Sequence, residues 1–349
     1  MTRPTLPAPA PAPALALALG AGVAALTAPP ALAQTDAAPA APVAVAFGTN
    51  WLPQAEHGGF YQALADGAYA ACGLEVEIVP GGPQVNNRAL MLAGRLDFYM
   101  GGDMVQPLLA AGEGIPVVVV AALFQKNPQA ILAHPGAAES WEDLKGLDLM
   151  ISDLGYASFF QWMIAEHGFS PERREPYTFN AAPFLADPGK AMQGYLTSEP
   201  YAIRREAGFE PAVFLLADEG YDSYATTIET LRETVEERPE VVRCFVEGSI
   251  EGWYRYLHGD RSAADAMILE ANPDMSQDRI DYAVARLKEE GILESGDALE
   301  HGIGAISEEV VGGFYETMVA AGVLPPGTDW RRAFTTEFVG RGVGMDLRP

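Results

Sequence analysis

Short β-prone runs alternate with stretches of helical period from residue 43 to residue 123, and this alternation leaves few folds open. The first strand is expected at 43–47, before a polar, Pro- and Gly-bearing break at 50–59. A helix is expected at 60–71, stopped by Gly73, then a strand at 74–79 and a turn at Gly81-Gly82-Pro83. The pattern continues with a helix at 84–93 closed by Gly94, a strand at 96–100, a helix opening at Asp103 and a strand at 115–123. This is βαβαβαβ, the order of a largely parallel sheet with helices on its faces. Ligands of such sheets bind at the carboxyl ends of the strands, where these loops fall.

The middle of the chain repeats the theme on a smaller scale. Strands are expected at 130–133, 147–152, 177–180 and 212–216, and a helix at 156–167 stopped by Gly168. Another helix starts at Ser198-Glu199-Pro200, with Ser198 as N-cap and Pro200 in its first turn, and stops at Gly208. The last third reads as helix at 231–257, interrupted by Pro239, and at 263–270, 276–289, 308–321 and 328–339. The expected architecture is α/β: two α/β lobes around a cleft, with a helical C-terminal tail. Residues 43–126 and 223–349 would form lobe 1 with the tail, and 127–222 an inserted lobe 2.

The N-terminus reads as an export signal. Arg3 supplies an early positive charge, an apolar stretch covers 14–26, and Ala31-Leu32-Ala33 is a small-residue cut site. Residues 1–33 are therefore expected to be a signal peptide cleaved near Ala33, and 34–42 a flexible leader, which places the mature protein in the periplasm. No cysteine stands at the cut to carry a lipid. Net charge is −25, from 47 acidic against 22 basic residues, which disfavours nucleic acid and anionic lipid as partners. The two cysteines, Cys72 and Cys244, have no metal-site spacing; a bridge and two separate buried thiols both stay open.

Four segments carry a resemblance to a known family. They are Asn50-Trp51-Leu52-Pro53-Gln54-Ala55-Glu56-His57-Gly58-Gly59-Phe60-Tyr61, Asn87-Arg88-Ala89-Leu90 with Ala93-Gly94-Arg95-Leu96-Asp97-Phe98, Gly101-Gly102-Asp103, and Gly194-Tyr195-Leu196-Thr197-Ser198-Glu199-Pro200-Tyr201. Over residues 43–228 the chain resembles the thiamine-precursor-binding proteins of ABC importers. Their wider group includes nitrate-, sulfonate- and riboflavin-binding relatives and the fungal synthases of the thiamine pyrimidine. The resemblance implies a type II periplasmic-binding-protein fold and a monomeric capture subunit that hands a small molecule to an inner-membrane permease. It also implies a ligand-facing Glu-Pro at Glu199-Pro200.

The residues themselves offer a ligand site. Asn50 and Trp51 follow the first strand, where an indole can stack on a planar heterocycle. His57 and Gly58 stand at a helix start, as does Glu56 just before them; backbone N–H groups and an imidazole there can hold an acceptor. Asp103 either caps its helix or points an oxygen at the cleft. Phe124 falls at the crossover between lobes, and Tyr156 and Ser158 open the first helix of lobe 2. A Glu199 carboxylate can accept hydrogen bonds from an exocyclic amine or ring N–H, which an aminopyrimidine offers and a nitrate or sulfonate does not. Tyr201 and Tyr224 are candidate aromatic faces. The first, third and fourth segments hold no Lys or Arg, which argues against an oxyanion, although Arg88 and Arg95 in the second leave room for one.

No catalytic motif is present: no G-x-S-x-G, no P-loop, no H-E-x-x-H. The histidines His57, His134, His167, His258 and His301 lack metal-ligand spacing, so no metal and no cofactor are expected. The synthase alternative requires a cysteine-rich iron-binding segment, which two isolated cysteines do not supply. The expectation is a binder of a thiamine pyrimidine precursor. Riboflavin or a small oxyanion is the alternative ligand, and a synthase-like enzyme or a ligand sensor the alternative role.

Overall fold

The computed structural model describes residues 41–349 apart from Gln84. The expected signal peptide and residues 34–40 of the expected leader lie outside the described residues. Strands β1 (Val43–Gly48), β2 (Leu74–Val79), β3 (Phe98–Asp103) and β4 (Val117–Phe124) join β10 (Ala225–Leu231) in a first sheet of order β2-β1-β3-β10-β4. β1 runs parallel to β2 and β3, while β10 returns antiparallel between β3 and β4. A second sheet contains β5 (Gln129–Ala133), β6 (Asp148–Ile151), β7 (Arg174–Pro176), β8 (Lys190–Tyr195) and β9 (Ala212–Leu215), in the order β7-β6-β8-β5-β9. The chain leaves the first sheet after Phe124 and re-enters it at Ala225. Two α/β lobes result, joined by two crossovers.

β4 is buried at all eight positions, a continuous apolar run of a strand covered on both faces. The first lobe is held by an aromatic column. Phe47 meets Phe60 at 4.5 Å, Phe98 stacks on Phe245 at 4.3 Å, and Phe245 stacks in turn on Tyr69 at 5.2 Å. Such pairs contribute about 0.5–1.5 kcal/mol each beyond the area they bury. Phe245 belongs to the long helix Pro239–His258, whose Pro239 stands at its start as the break after Arg232–Glu237. Cys72 and Cys244 are disulfide-bonded, with Cα atoms 5.8 Å apart, and tie this helix to the end of Ala68–Ala71. The bridge settles the alternative that spacing left open.

Three expectations are corrected. Residues 328–339 form no helix beyond a single turn at Trp330–Ala333. Phe334 pairs in parallel with Val119 and the Thr335 N–H bonds the Val119 carbonyl, so the backbone is spent along the edge of β4 instead. The strand expected at 177–180 lies one step earlier, at β7, and its former place is a loop. β8, the central strand of the second sheet, was not expected at all: Lys190, Gln193 and Gly194 break its apolar run, yet its four middle residues are buried. Among the described residues no helix is long and apolar enough to cross a membrane.

Candidate functional site

The carboxyl ends of β1 and β3 in the first lobe face those of β6, β7 and β8 in the second. From the first lobe come Asn50, Trp51, Glu56 and Asp103. The Asn50 amide lies 3.8 Å from where a Gly102 Cβ would stand, so the loop after β1 leans over the end of β3. Glu56 sits in the 3-10 turn Ala55–His57 and is buried. Its carboxylate accepts a hydrogen bond from the Thr197 hydroxyl of the opposite lobe. Glu199 heads its helix as expected and accepts the Tyr195 N–H at 2.6 Å. Ser198 stands at the N-cap position, but its hydroxyl accepts from Arg279 at 2.8 Å rather than capping.

These groups share one electrostatic neighbourhood. Burial raises the Glu56 carboxyl above the ordinary range, against the Thr197 hydrogen bond and the Arg279 charge. Glu199 is raised by burial and by Glu56, and Arg279 opposes both. Asp103 is raised by burial although Val105 N–H donates to one of its oxygens at 3.0 Å and the Tyr221 hydroxyl to the other at 3.1 Å. Asp103 thus closes the first turn of its helix with one oxygen and ties to Tyr221, near the return crossover, with the other. Tyr195 stands at the centre; burial and the Glu56, Asp103 and Glu199 charges all hold its phenol protonated. A floor of three carboxylates with one nearby guanidinium is suited to a ligand rich in N–H or O–H donors and unsuited to an anion.

Beside this floor, Arg88 forms a buried ion pair with Glu229 at 3.1 Å. Burial still lifts Glu229 to about 7, against the pull of Arg88. The free Glu229 oxygen and the Thr227 hydroxyl have no hydrogen-bond partner among the described residues, and both crowd the face of Gly101, where a Cβ would stand 2.2 Å and 2.4 Å from them. Arg88 is thereby committed to Glu229, not to a ligand.

Above the floor an aromatic mouth joins the lobes. The Trp51 ring meets Phe179 at 4.9 Å, and Phe179 meets Tyr177 at 5.3 Å. Phe179 has φ 62° and Thr226, beside Tyr195, has φ 47°; they are the non-glycine residues in the left-handed region among those described. Each such residue stores about 1–3 kcal/mol, and strain of this kind concentrates at functional sites.

The structure does not bring all the expected residues here. Gly58 is a correction: its N–H bonds Ala55 and a Cβ on it would lie 2.1 Å from the Tyr256 ring, so it serves helix packing. His57 is buried beside it, 1% exposed, with neither ring nitrogen partnered, and burial lowers it to about 3. Phe124 is fully buried against Trp253 at 5.6 Å, in the core below the crossover. Tyr224 is buried and donates to Asp297 while accepting the Ser307 N–H, a strut between crossover and tail. Tyr201 packs on Tyr282 and donates to Asp278, away from the floor. Ser158 spends its hydroxyl on the Leu154 carbonyl at 2.8 Å. Tyr156 remains on the second lobe's rim, under the Arg174 guanidinium. Sequence reasoning missed Tyr195, Thr197, Phe179 and Arg279. Tyr195 and Thr197 lay inside the quoted fourth segment and were readable as the end of β8, had that strand been found.

Two α/β lobes with polar groups converging where they meet define the periplasmic-binding-protein type of fold, which carries both binders and enzymes. The chain belongs to the NMT1/THI5-like family, whose model matches residues 54–261. It is 27% identical over 307 residues to the riboflavin-binding protein RibY of Chloroflexus aurantiacus, covering 85% of this chain and 86% of that one. In fold it is similar to the alkanesulfonate-binding protein SsuA of Xanthomonas axonopodis pv. citri (TM-score 0.60, 17% identity, 85% and 99% of the two chains). It is likewise similar to the desulfurization enzyme DszB bound to biphenyl-2-sulfinic acid (TM-score 0.56, 15% identity, 84% and 97%).

Proposed function

We propose that this is an extracytoplasmic solute-binding protein that captures a planar, donor-rich nitrogen heterocycle and delivers it to an ABC permease. The observation that carries this reading is the floor itself. Glu56, Asp103 and Glu199 converge around Tyr195 from both lobes, partly or wholly buried, with Arg279 as the cation beside Glu56 and Glu199. Buried carboxylates of this kind reward N–H donors and repel sulfonate or nitrate. A thiamine pyrimidine precursor, with an exocyclic amine beside a ring nitrogen, fits that chemistry. Riboflavin is the second reading, favoured by the 27% identity to RibY over most of both chains. The same cleft serves a binder better than a catalyst: each floor carboxylate is held in place by a hydrogen bond it accepts, from the Thr197 hydroxyl, the Tyr221 hydroxyl or the Tyr195 N–H.

Closure follows from the two crossovers. A ligand drives it only by binding the closed state better than the open one. The test is a thermal-shift screen of the chain from Gln34 onward against thiamine, its pyrimidine precursors, riboflavin, nitrate, bicarbonate and alkylsulfonates. A ligand at about 100 times its dissociation constant adds roughly 2.7 kcal/mol, a visible shift. Stabilisation by a pyrimidine or by riboflavin supports the heterocycle reading and chooses between its forms. A shift with nitrate or a sulfonate alone overturns it, and silence across the panel turns attention to sensing.

A further inference from the structure

Phe179 is an unusual residue in an unusual place. It lies in the loop between β7 and the short helix Ala182–Ala186, on the cleft side of the second lobe. Its backbone is left-handed, at φ 62°, a conformation in which glycine or asparagine is at ease and a phenylalanine is strained. The strain is not repaid by burial, because Phe179 is 50% exposed. What the conformation achieves is a contact: it turns the ring onto Trp51 of the first lobe, 4.9 Å away. Behind it Tyr177 continues the line at 5.3 Å, and Tyr177 feels the Glu199 charge, so the aromatic row runs from the mouth to the carboxylate floor.

We propose that Phe179 is the gate of the cleft, a positioning residue whose ring latches on Trp51 and must swing away before a solute enters or leaves. The proposal rests on the reading of this cleft as the binding cleft, and it concerns the rate of exchange, not the identity of the ligand. The latch is a single aromatic contact at an exposed edge, weak enough to open often and placed where its opening admits solvent.

The test needs no ligand. A thiol is installed as Thr197→Cys; Thr197 is 1% exposed and bonded to Glu56 of the other lobe, so a reagent reaches it only when the lobes part. Cys72 and Cys244 are already bridged, which leaves the new thiol as the reactive one. Iodoacetamide labelling is then timed in the parent and in Phe179→Ala, Phe179→Gly and Phe179→Tyr. Phe179→Ala and Phe179→Gly are expected to label about fivefold faster, the factor that follows from losing one aromatic contact. Phe179→Tyr, which keeps the ring, is expected to match the parent. Equal rates in all four overturn the gate. Should Thr197→Cys fail to fold, acrylamide quenching of Trp51, read as the difference from Trp51→Phe, decides instead. Its quenching constant should roughly double in Phe179→Ala, and an unchanged constant overturns the proposal. A ligand panel without a hit bears on the function proposed above and leaves both of these readouts standing.

Discussion

One short segment, residues 50–61, serves two regions with opposite physics. Its first half, with Asn50, Trp51 and Glu56, faces the cleft; its second half begins with the buried His57 and continues with Gly58 and Gly59, sealed against the helix Pro239–His258. In the seam, glycines exist so that rings can approach: a Cβ on Gly59 would stand 2.2 Å from the Trp253 ring. On the cleft side, carboxylates are held away from water with hydrogen bonds but little opposing charge. The seam stores stability in packing, whereas the floor gives stability away to keep polar groups poised. Adjacent residues with similar sequence signals thus do unlike work, and the boundary falls between Glu56 and His57.

On the cleft side the sharpest change is expected at Arg88. Arg88→Met strands Glu229 as a buried, unpaired carboxylate that escapes by taking a proton, so urea unfolding at pH 8 should show a loss of about 1–2 kcal/mol, the cost of protonating a group that titrates near 7. The loss should shrink at pH 5.5, where Glu229 is protonated; equal losses at both values would remove the pair from the account. Next comes the seam. Gly59→Ala overpacks Trp253 and should cost about 1–3 kcal/mol, with ligand affinity unchanged. A Gly59→Ala protein as stable as the parent would mean that the seam is looser than its geometry implies.

Titration separates the two regions by sign. Glu229 is raised from 4.5 to about 7, so its stabilising effect is present below 4.5 and is lost as pH climbs to 7, at about 1.4 kcal/mol per unit. Glu56, Asp103 and Glu199 are raised as well and act in the same direction. His57 is lowered from 6.5 to about 3, so its contribution is present above 6.5 and is lost as pH falls toward 3. The melting temperature should therefore rise between pH 8 and pH 5.5, and it should rise further in His57→Leu, which removes the opposing slope. A melting temperature that falls over this range would contradict the buried state of the four acids.

Much of the fold was legible in the sequence, because period and punctuation are local. The βαβαβαβ order, the break at Pro239 and the helix stops at Gly168 and Gly208 all follow from them. What was not legible depends on tertiary partners. β8 carries polar residues that only its neighbours β5 and β6 make sense of. The tail after Trp330 pairs with β4 rather than coiling, a choice made by an open sheet edge. At the candidate site, Asn50, Trp51 and Asp103 could be named from strand ends, and Glu199 from the start of its helix. Gly58, Phe124, Tyr201 and Tyr224 were wrongly gathered with them, because sequence gives the end of an element but not the face it turns inward. Phe179 and Arg279 were invisible: one depends on a strained backbone, the other on a distant helix folding back.

The smallest structural change carries the central claim. Glu199→Gln keeps the size of the side chain and an oxygen for the Tyr195 N–H, and so should alter stability by no more than about 0.5 kcal/mol. Calorimetric titration of the hydroxymethyl aminopyrimidine and of riboflavin into parent and Glu199→Gln then tests the floor directly. One of the two should bind the parent, and the substitution should weaken it about tenfold, the worth of a charge-assisted hydrogen bond. Unchanged affinity in Glu199→Gln, or binding by neither compound, would contradict it.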